Sequence, residues 1–383
     1  MPELIPYHLT FEGGLHVGTR GVDLEESSVI IPSDTLFSAL AATWRRMDQQ
    51  VDELLAPFTS KPSAPPERPL PPDPSFLLTS AFPRVGGVRF YPMPVNPHVL
   101  FDPAKKTVEA RGKPLKRVRF LSEGLLQKAL LGSKLDEDLF AETGEDQKSH
   151  GFALQGGALW LSAAEIASLP AAFRRAKGKE TSLRYENVWA SERTPRVTIG
   201  RITSAATIFH AGRVRFAQEC GLWFGLHWTR ANAALAALVG QTLAQLQHAG
   251  LGGERTSGYG AFTFAEAPPV TLPDPAGGRA ALLLSRYHPR GDELPAALTH
   301  PAAAYQLVPV EGWLNSPGHA PQRRKRLLMV TEGSLVCPPA YPAGDLSNVR
   351  PTYKNPEGQV AHPVYRAGFA LAVGWPDDRR EHA

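Results

Sequence analysis

The residues best suited to chemistry lie in one stretch, Gly250-Leu251-Gly252-Gly253-Glu254-Arg255-Thr256-Ser257-Gly258-Tyr259-Gly260. Five of its eleven positions are glycine, a density that fills no core and permits positive φ and close backbone approach to an outside partner. Arg255, Thr256 and Ser257 add one charge and two hydroxyls. Backbone N–H groups beside such side chains suit phosphate oxygens, so Gly252, Gly253, Arg255, Thr256, Ser257 and Gly258 are candidate phosphate contacts. Tyr259 can stack on a base or belong to a core at the start of a strand. The plainer alternative for the whole stretch is a glycine-rich turn.

The elements around the loop decide which phosphate chemistry is open to it. Thr229 can cap a helix whose apolar positions Leu235, Leu238, Val239, Thr242 and Leu246 share one face. Gly250 stands where helices commonly end in a left-handed residue. Ala261-Phe262-Thr263-Phe264 then reads as a short strand. The order is helix, loop, strand. A Walker loop or a dinucleotide fingerprint runs strand, loop, helix, and the first also requires Gly-Lys-Ser/Thr. Binding of nucleoside triphosphates and of NAD is therefore excluded.

Other charged and hydroxyl groups extend the candidate surface. Ser33, in Pro32-Ser33-Asp34-Thr35, is placed to cap a helix bearing Leu36, Leu40, Trp44 and Met47. The free N–H groups of that helix start, with Ser33 and Thr35, are a second candidate anion site, and the simpler reading is that Ser33 only caps the helix. Residues 105–119 carry Lys113, Lys116, Arg117 and Arg119 among seven cations and one acid. They can track a phosphate backbone or form a solvated face beside the acidic stretch 136–146. Arg193, Arg196, Arg201 and Arg213 alternate with apolar residues up to Phe216. Arg323-Arg324-Lys325-Arg326 is a basic cluster that serves either as a charged strand edge or as an RNA contact.

With 383 residues, 43% of them apolar, the chain has enough material for two domains with real cores. The net charge of +4 is mild, so any nucleic-acid surface rests on local clusters. Cys220 and Cys337 are the only cysteines, which speaks for a reducing compartment and against a cysteine-rich metal site. No stretch reaches the ~18 apolar residues of a membrane span, and the first residues lack the pattern of a signal peptide. The expectation is a cytoplasmic protein without membrane attachment. Prolines crowd residues 57–97, as in a linker or wrapping arm. Each half of the chain offers a strand, a helix and further strands. The expected fold class is α+β, two ferredoxin-like (RRM-like) βαββαβ domains, residues 1–190 and 191–383, with inserted hairpins and long proline-rich loops.

The Gly-Leu-Gly-Gly-x-Arg-x-Ser-Gly-Tyr-Gly loop at 250–260 resembles the glycine-rich loop of the RAMP superfamily of CRISPR proteins. Leu15-His16-Val17-Gly18 followed by Ile31-Pro32-Ser33-Asp34-Thr35-Leu36-Phe37-Ser38-Ala39-Leu40 is more specific. It resembles the fourth subunit of Csm-type (type III-A) effector complexes. Glu332-Gly333-Ser334 and His362-Pro363-Val364-Tyr365-Arg366-Ala367-Gly368-Phe369 are further matches. Clear resemblance covers roughly residues 4–47 and 195–265.

The resemblance implies a non-catalytic RNA-binding subunit with no metal and no cofactor. Its partners would be the 5′ repeat-derived tag of the CRISPR RNA, target RNA by proximity, the large polymerase-like Csm subunit and a backbone RAMP subunit. It implies a β-hairpin thumb that bends the guide where tag meets spacer, for which residues 105–119 are the candidate. His16, Ser33, Thr35, Lys113, Lys116, Arg117, Arg119, Arg196, Arg201 and the loop residues 252–253 and 255–259 are then the candidate RNA contacts. The alternative within the superfamily is a metal-independent CRISPR-RNA-processing endonuclease, with His16 as acid or base. No tyrosine or lysine partner is evident in the 18–35 loop. Asp23, followed by Leu24-Glu25-Glu26, is read as a solvated loop acid.

Overall fold

A computed structural model describes residues 3–18, 27–60, 70–140, 151–177, 180–199, 206–314, 322–353 and 359–376. Asp23, Arg201 and the prolines at 62–69 lie outside the described residues. The first strand, β1 (Glu3–Phe11), alternates as a half-covered strand must: Tyr7, Leu9 and Phe11 are buried on one face, while His8 and Thr10 on the other are half-buried. After it come α1 (Ser33–Arg46), α2 (Val51–Leu55), β2 (Phe76–Leu78), β3 (Phe82–Val85) and β4 (Val88–Pro92). Two short helices, α3 (Thr107–Ala110) and α4 (Gly112–Leu115), lead into β5 (Phe120–Ser122) and α5 (Glu123–Leu130). The chain continues with β6 (Gly151–Leu154), β7 (Leu159–Ser162), β8 (Arg174–Lys177) and β9 (Glu180–Leu183). The long pair β10 (Trp189–Ile199) and β11 (Ala206–Phe216) precedes β12 (Cys220–Trp228), α6 (Ala233–Ala249), β13 (Phe262–Glu266) and β14 (Val270–Thr271).

One large sheet organises these elements, in the order β13-β1-β12-β3-β4-β5-β7-β6, with β14 on β1 and β2 on β12. All its neighbours are antiparallel except β5 and β7. Tyr7 faces Phe224 across the β1–β12 ladder and their rings stack at 5.3 Å. Because β1 pairs with residues on β12 and β13, the division expected at residue 190 does not separate the strands of this sheet. The glycine-rich loop, between α6 and β13, is therefore attached to the first sheet.

The C-terminal part is built of shorter pieces: β15 (Ala281–Leu283), α7 (Leu294–Thr299), β16 (Leu307–Val310), β17 (Trp313–Leu314), β18 (Gln322–Arg323), β19 (Leu327–Val330), β20 (Leu335–Val336), β21 (Leu346–Asn348), β22 (Tyr365–Ala367) and β23 (Ala372–Gly374). A three-stranded sheet runs β20-β15-β23, flanked by the ribbons β16–β19, β17–β18 and β21–β22. Leu282, Leu284, Leu335, Phe369 and Val373 join the main core with Leu9, Phe76 and Leu226. The fold class is thus α+β, with one large mixed sheet and few helices among the described residues.

Two local expectations are corrected. The helix before the glycine loop is capped by Asn232, whose Oδ1 accepts from the Leu235 N–H at 3.0 Å. Thr229 instead donates its hydroxyl to the Pro74 carbonyl. Residues 105–119 do not form a hairpin: Thr107–Ala110 and Gly112–Leu115 are helical, and buried Leu115 and Val118 fix them on a small core with Leu121 and Trp160. Among the described residues no helix is long and apolar enough to cross a membrane, and no cluster of His, Cys, Asp and Glu could hold a metal ion.

Candidate nucleic-acid interface

The loop forms where α6 runs out. Gly250 takes φ 77° and donates its N–H to the Leu246 carbonyl at 2.8 Å, closing the last turn. The Leu251 N–H reaches the Gly260 carbonyl at 2.9 Å across the neck. Gly253 and Gly260 donate to the carbonyls of His16 and Gly14 at 2.8 and 2.9 Å, tying the loop to residues 13–18. Ser257 and Gly258 donate to Glu254 and Arg255, folding the tip into a single tight turn. The expected row of open N–H groups is therefore mostly engaged inside the protein. The N–H groups of Arg255 and Thr256 have no acceptor among the described residues. Gly253, Arg255, Thr256, Ser257 and Gly258 are exposed, and the Arg255 guanidinium makes no ion pair there.

His16 lies beneath the loop. It is 5% exposed, and its Nδ1 is 2.6 Å from the Gly212 carbonyl, so that nitrogen carries the proton. Gly252, at φ 87°, crosses the His16 main chain so closely that a Cβ there would collide with the His16 carbonyl oxygen. His16 thus positions the loop and the strand beside it, and is not an exposed RNA contact. Tyr259 is also buried, at 6%, with the Arg213 guanidinium 5.8 Å from its ring centre. It is a core tyrosine, too deeply buried to offer a face to a base.

Arg213 belongs to the second exposed feature, the ribbon β10–β11. Its Nε donates to Glu192 at 2.7 Å, a bond that holds the guanidinium further toward its charged form. At its base the ribbon is anchored by the Leu15–Val214 bridge and by Phe216 stacked 5.8 Å from Phe11. Eleven register pairs carry it away from the sheet, roughly 33 Å at 3.3 Å per residue. Far from the base, Val197 pairs with Ile208, and Val197, Ile199 and Ile208 are 57%, 67% and 67% exposed. Arg193 and Arg215 are exposed along its length, and Arg196 stands opposite Phe209. The alternation of arginines with apolar residues carried the signal for this ribbon, but its length and the exposure of Val197, Ile199 and Ile208 emerge only in three dimensions.

The start of α1 is not an open anion site. Pro32 is the cap residue, and Ser33 is buried, its N–H donating to Ser80 Oγ at 2.9 Å and its Oγ accepting from the Arg286 N–H at 2.9 Å. Asp34 Oδ2 pairs with Arg366 Nη1 at 2.7 Å. The C-terminal part of the chain thus covers this helix end, which removes Ser33 as an RNA contact and leaves Thr35 half-buried. Lys113, Lys116, Arg117 and Arg119 are exposed, and the first three have no partner among the described residues. They precede β5, five strands along the sheet from β13, a separation of about 24 Å at ~4.8 Å per strand. The structure therefore presents two basic regions and does not merge them into one.

Two further groups near the sheet are held neutral. Burial, with Arg84 and Arg89 alongside, lowers His8 to about 4. Burial raises Cys220 to about 12, so its thiol is inert at neutral pH.

Residues 277–375 match the CRISPR Csm4 C-terminal domain family. The CRISPR system Cms protein Csm4 of Mycobacterium tuberculosis (strain ATCC 25618 / H37Rv) is 25% identical over 357 residues, which is 92% of this chain and 94% of that protein. The chain is Csm4-like. Among solved structures, one of a Csm3-Csm4 subcomplex of the type III-A interference complex shares the fold at TM-score 0.62 and 13% identity, covering 98% of this chain and 100% of that one. A Csm1-Csm4 cassette in complex with AMPPNP aligns at TM-score 0.51 and 17% identity, covering 98% of each chain.

Proposed function

We propose that this chain is a non-catalytic RNA-binding subunit that holds the 5′ repeat-derived tag of a CRISPR RNA and joins the large polymerase-like subunit to the backbone. The observation that carries the reading is the union of the exposed loop tip at Arg255–Gly258 with the base of the ribbon β10–β11, through residues 13–18. Arg255 and the N–H groups of Arg255 and Thr256 meet phosphate oxygens. The ribbon is the thumb: Val197, Ile199 and Ile208, exposed at the far end of its described residues, are suited to enter between bases and kink the strand, while Arg193 and Arg215 follow the backbone. The relatives named above occur with Csm3 in one structure and with Csm1 in another, and we assign the same two neighbours to this chain.

The same reading includes two ferredoxin-like domains. It is supported by the order β13-β1-β12-β3, which with α1 and α6 is that of a βαββαβ unit with residues 86–219 inserted between its second and third strands. The three-stranded β20-β15-β23 sheet is the start of a second unit. For a non-catalytic role the support is His16, which is buried and hydrogen-bonded to the main chain instead of facing a substrate.

Filter binding of labelled tag RNA to the full chain at two salt concentrations tests the proposal. Salt-sensitive binding that weakens in Arg255→Ala, with the fold retained, is the expected result. Unchanged affinity in that variant removes the loop from the interface, and cleavage without metal replaces the reading with the nuclease one.

A further inference from the structure

The C-terminal part carries an exposed surface that tag binding does not use. Along β18 and the residues after it, side chains alternate: Arg323 and Lys325 point outward, while Arg324 turns inward, its Nη2 donating to the Trp313 carbonyl at 2.8 Å. Trp313, opposite Arg323 in the β17–β18 ribbon, is 50% exposed, and the Arg323 guanidinium lies 5.1 Å from its ring centre. Beside them opens a cavity of about 420 Å³ lined by Lys325, Asn348, Arg350, Thr352, Tyr353 and Gln359, with no carboxylate among the described residues of its walls. Its floor is fixed. Leu314, Val349, Val360 and Val364 pack into a small core beneath it, the Lys325 N–H donates to the Val349 carbonyl at 2.9 Å, and Arg350 Nη1 donates to the Ala361 carbonyl at 3.2 Å. The Lys325 amine has no ion-pair partner among the described residues. The nearby acid Glu311 engages Arg326 at 3.4 Å.

We propose that this surface is a second binding site for single-stranded RNA, in which Lys325 and Arg350 hold a phosphate in the cavity and the Trp313–Arg323 face stacks a base. The Lys325 ammonium and the Arg350 guanidinium, with no carboxylate among the described residues lining the cavity, give charge complementarity to a phosphodiester. The aromatic plane with its arginine gives what RNA adds to an acidic ligand, a flat π-surface for an unstacked base. An acidic protein segment would use the charges but has no need of that plane. The inference goes beyond the tag-binding reading and does not depend on it.

The test uses the full chain and fluorescently labelled oligouridylate, which lacks any tag sequence, titrated by anisotropy over a range of salt. Trp313→Ala is expected to lower affinity roughly tenfold with the salt slope unchanged, because stacking is not ionic. Lys325→Ala is expected to reduce the slope of log K against log salt by about 0.7, one phosphate contact on a single strand. Trp313→Phe, which keeps a stacking ring, restores most of the affinity. Both losses persist in an Arg255→Ala background, which separates this site from the loop. Unchanged oligouridylate binding in Trp313→Ala and Lys325→Ala overturns the proposal. Loss of polyglutamate binding alone in Lys325→Ala also overturns it and assigns the surface to an acidic protein partner.

Discussion

Asp34 and Arg366, 332 residues apart, meet at 2.7 Å where the C-terminal part covers the start of α1. Their side chains are only 2% and 11% exposed. A buried pair contributes little beyond an apolar replacement, but breaking it strands a charge. Arg366→Met is expected to destabilise the chain by about 3 kcal/mol, because the Asp34 carboxylate loses its counterion. The double variant Asp34→Leu/Arg366→Met should lose less than the single one. Urea unfolding of the three proteins checks the order.

The loop offers a graded pair of substitutions. Gly258, at φ 82°, has open space where a Cβ would go, so Gly258→Ala is expected to cost only the left-handed strain, about 1 kcal/mol. Gly252→Ala adds a collision with the His16 carbonyl and is expected to cost on the order of 3 kcal/mol. It should also displace residues 13–18 and weaken tag binding, whereas Gly258→Ala should not shift that segment. Thermal unfolding and amide exchange at Val17 read the two effects.

The exposed apolar residues at the far end of the described ribbon separate binding from stability. Val197 and Ile208 face solvent at 57% and 67%, so Val197→Ser with Ile208→Ser should change folding stability by no more than about 0.5 kcal/mol each. Fluorescence of a 2-aminopurine placed at the tag–spacer junction reports base unstacking. It should rise on binding the wild-type chain and stay low with the double variant.

His8 makes stability depend on pH. Burial first, then Arg84 and Arg89, lowers it to about 4, against an ordinary value of 6.5. Between those values the unfolded chain binds the proton and the folded one does not. Stability is therefore full above about pH 6.5 and falls as the pH drops toward 4, by a few kcal/mol at most. His8→Gln should flatten that window relative to the wild type in denaturant midpoints taken across it.

Features written in neighbouring residues were legible before the fold was known. Gly250 ended a helix, Phe262 and Phe264 opened a strand, and the glycine spacing marked an exposed bend. Features that depend on distant partners were not. Ser33 read as an open cap because nothing near it announces Arg286 or Arg366. Residues 105–119 read as a basic hairpin because charge does not reveal that Leu115 and Val118 anchor short helices. Thr229 and Asn232 are both good caps, and the choice fell to Asn232 because Thr229 bonds to Pro74. The arginines of β10–β11 were visible, but the exposure of Val197, Ile199 and Ile208 follows from strand pairing, which single residues do not specify.

The ladder between β1 and β12 joins Ile5 to Leu226. A ribosome adding ~5–20 residues per second needs roughly 10–40 s to make the second partner after the first. Throughout that interval the opening strand has no neighbour from its final sheet, and its apolar residues must be shielded by other means. Folding of this sheet is consequently tied to translation past β12 and β13, and products truncated before β12 should be removed as aggregates instead of persisting half-built.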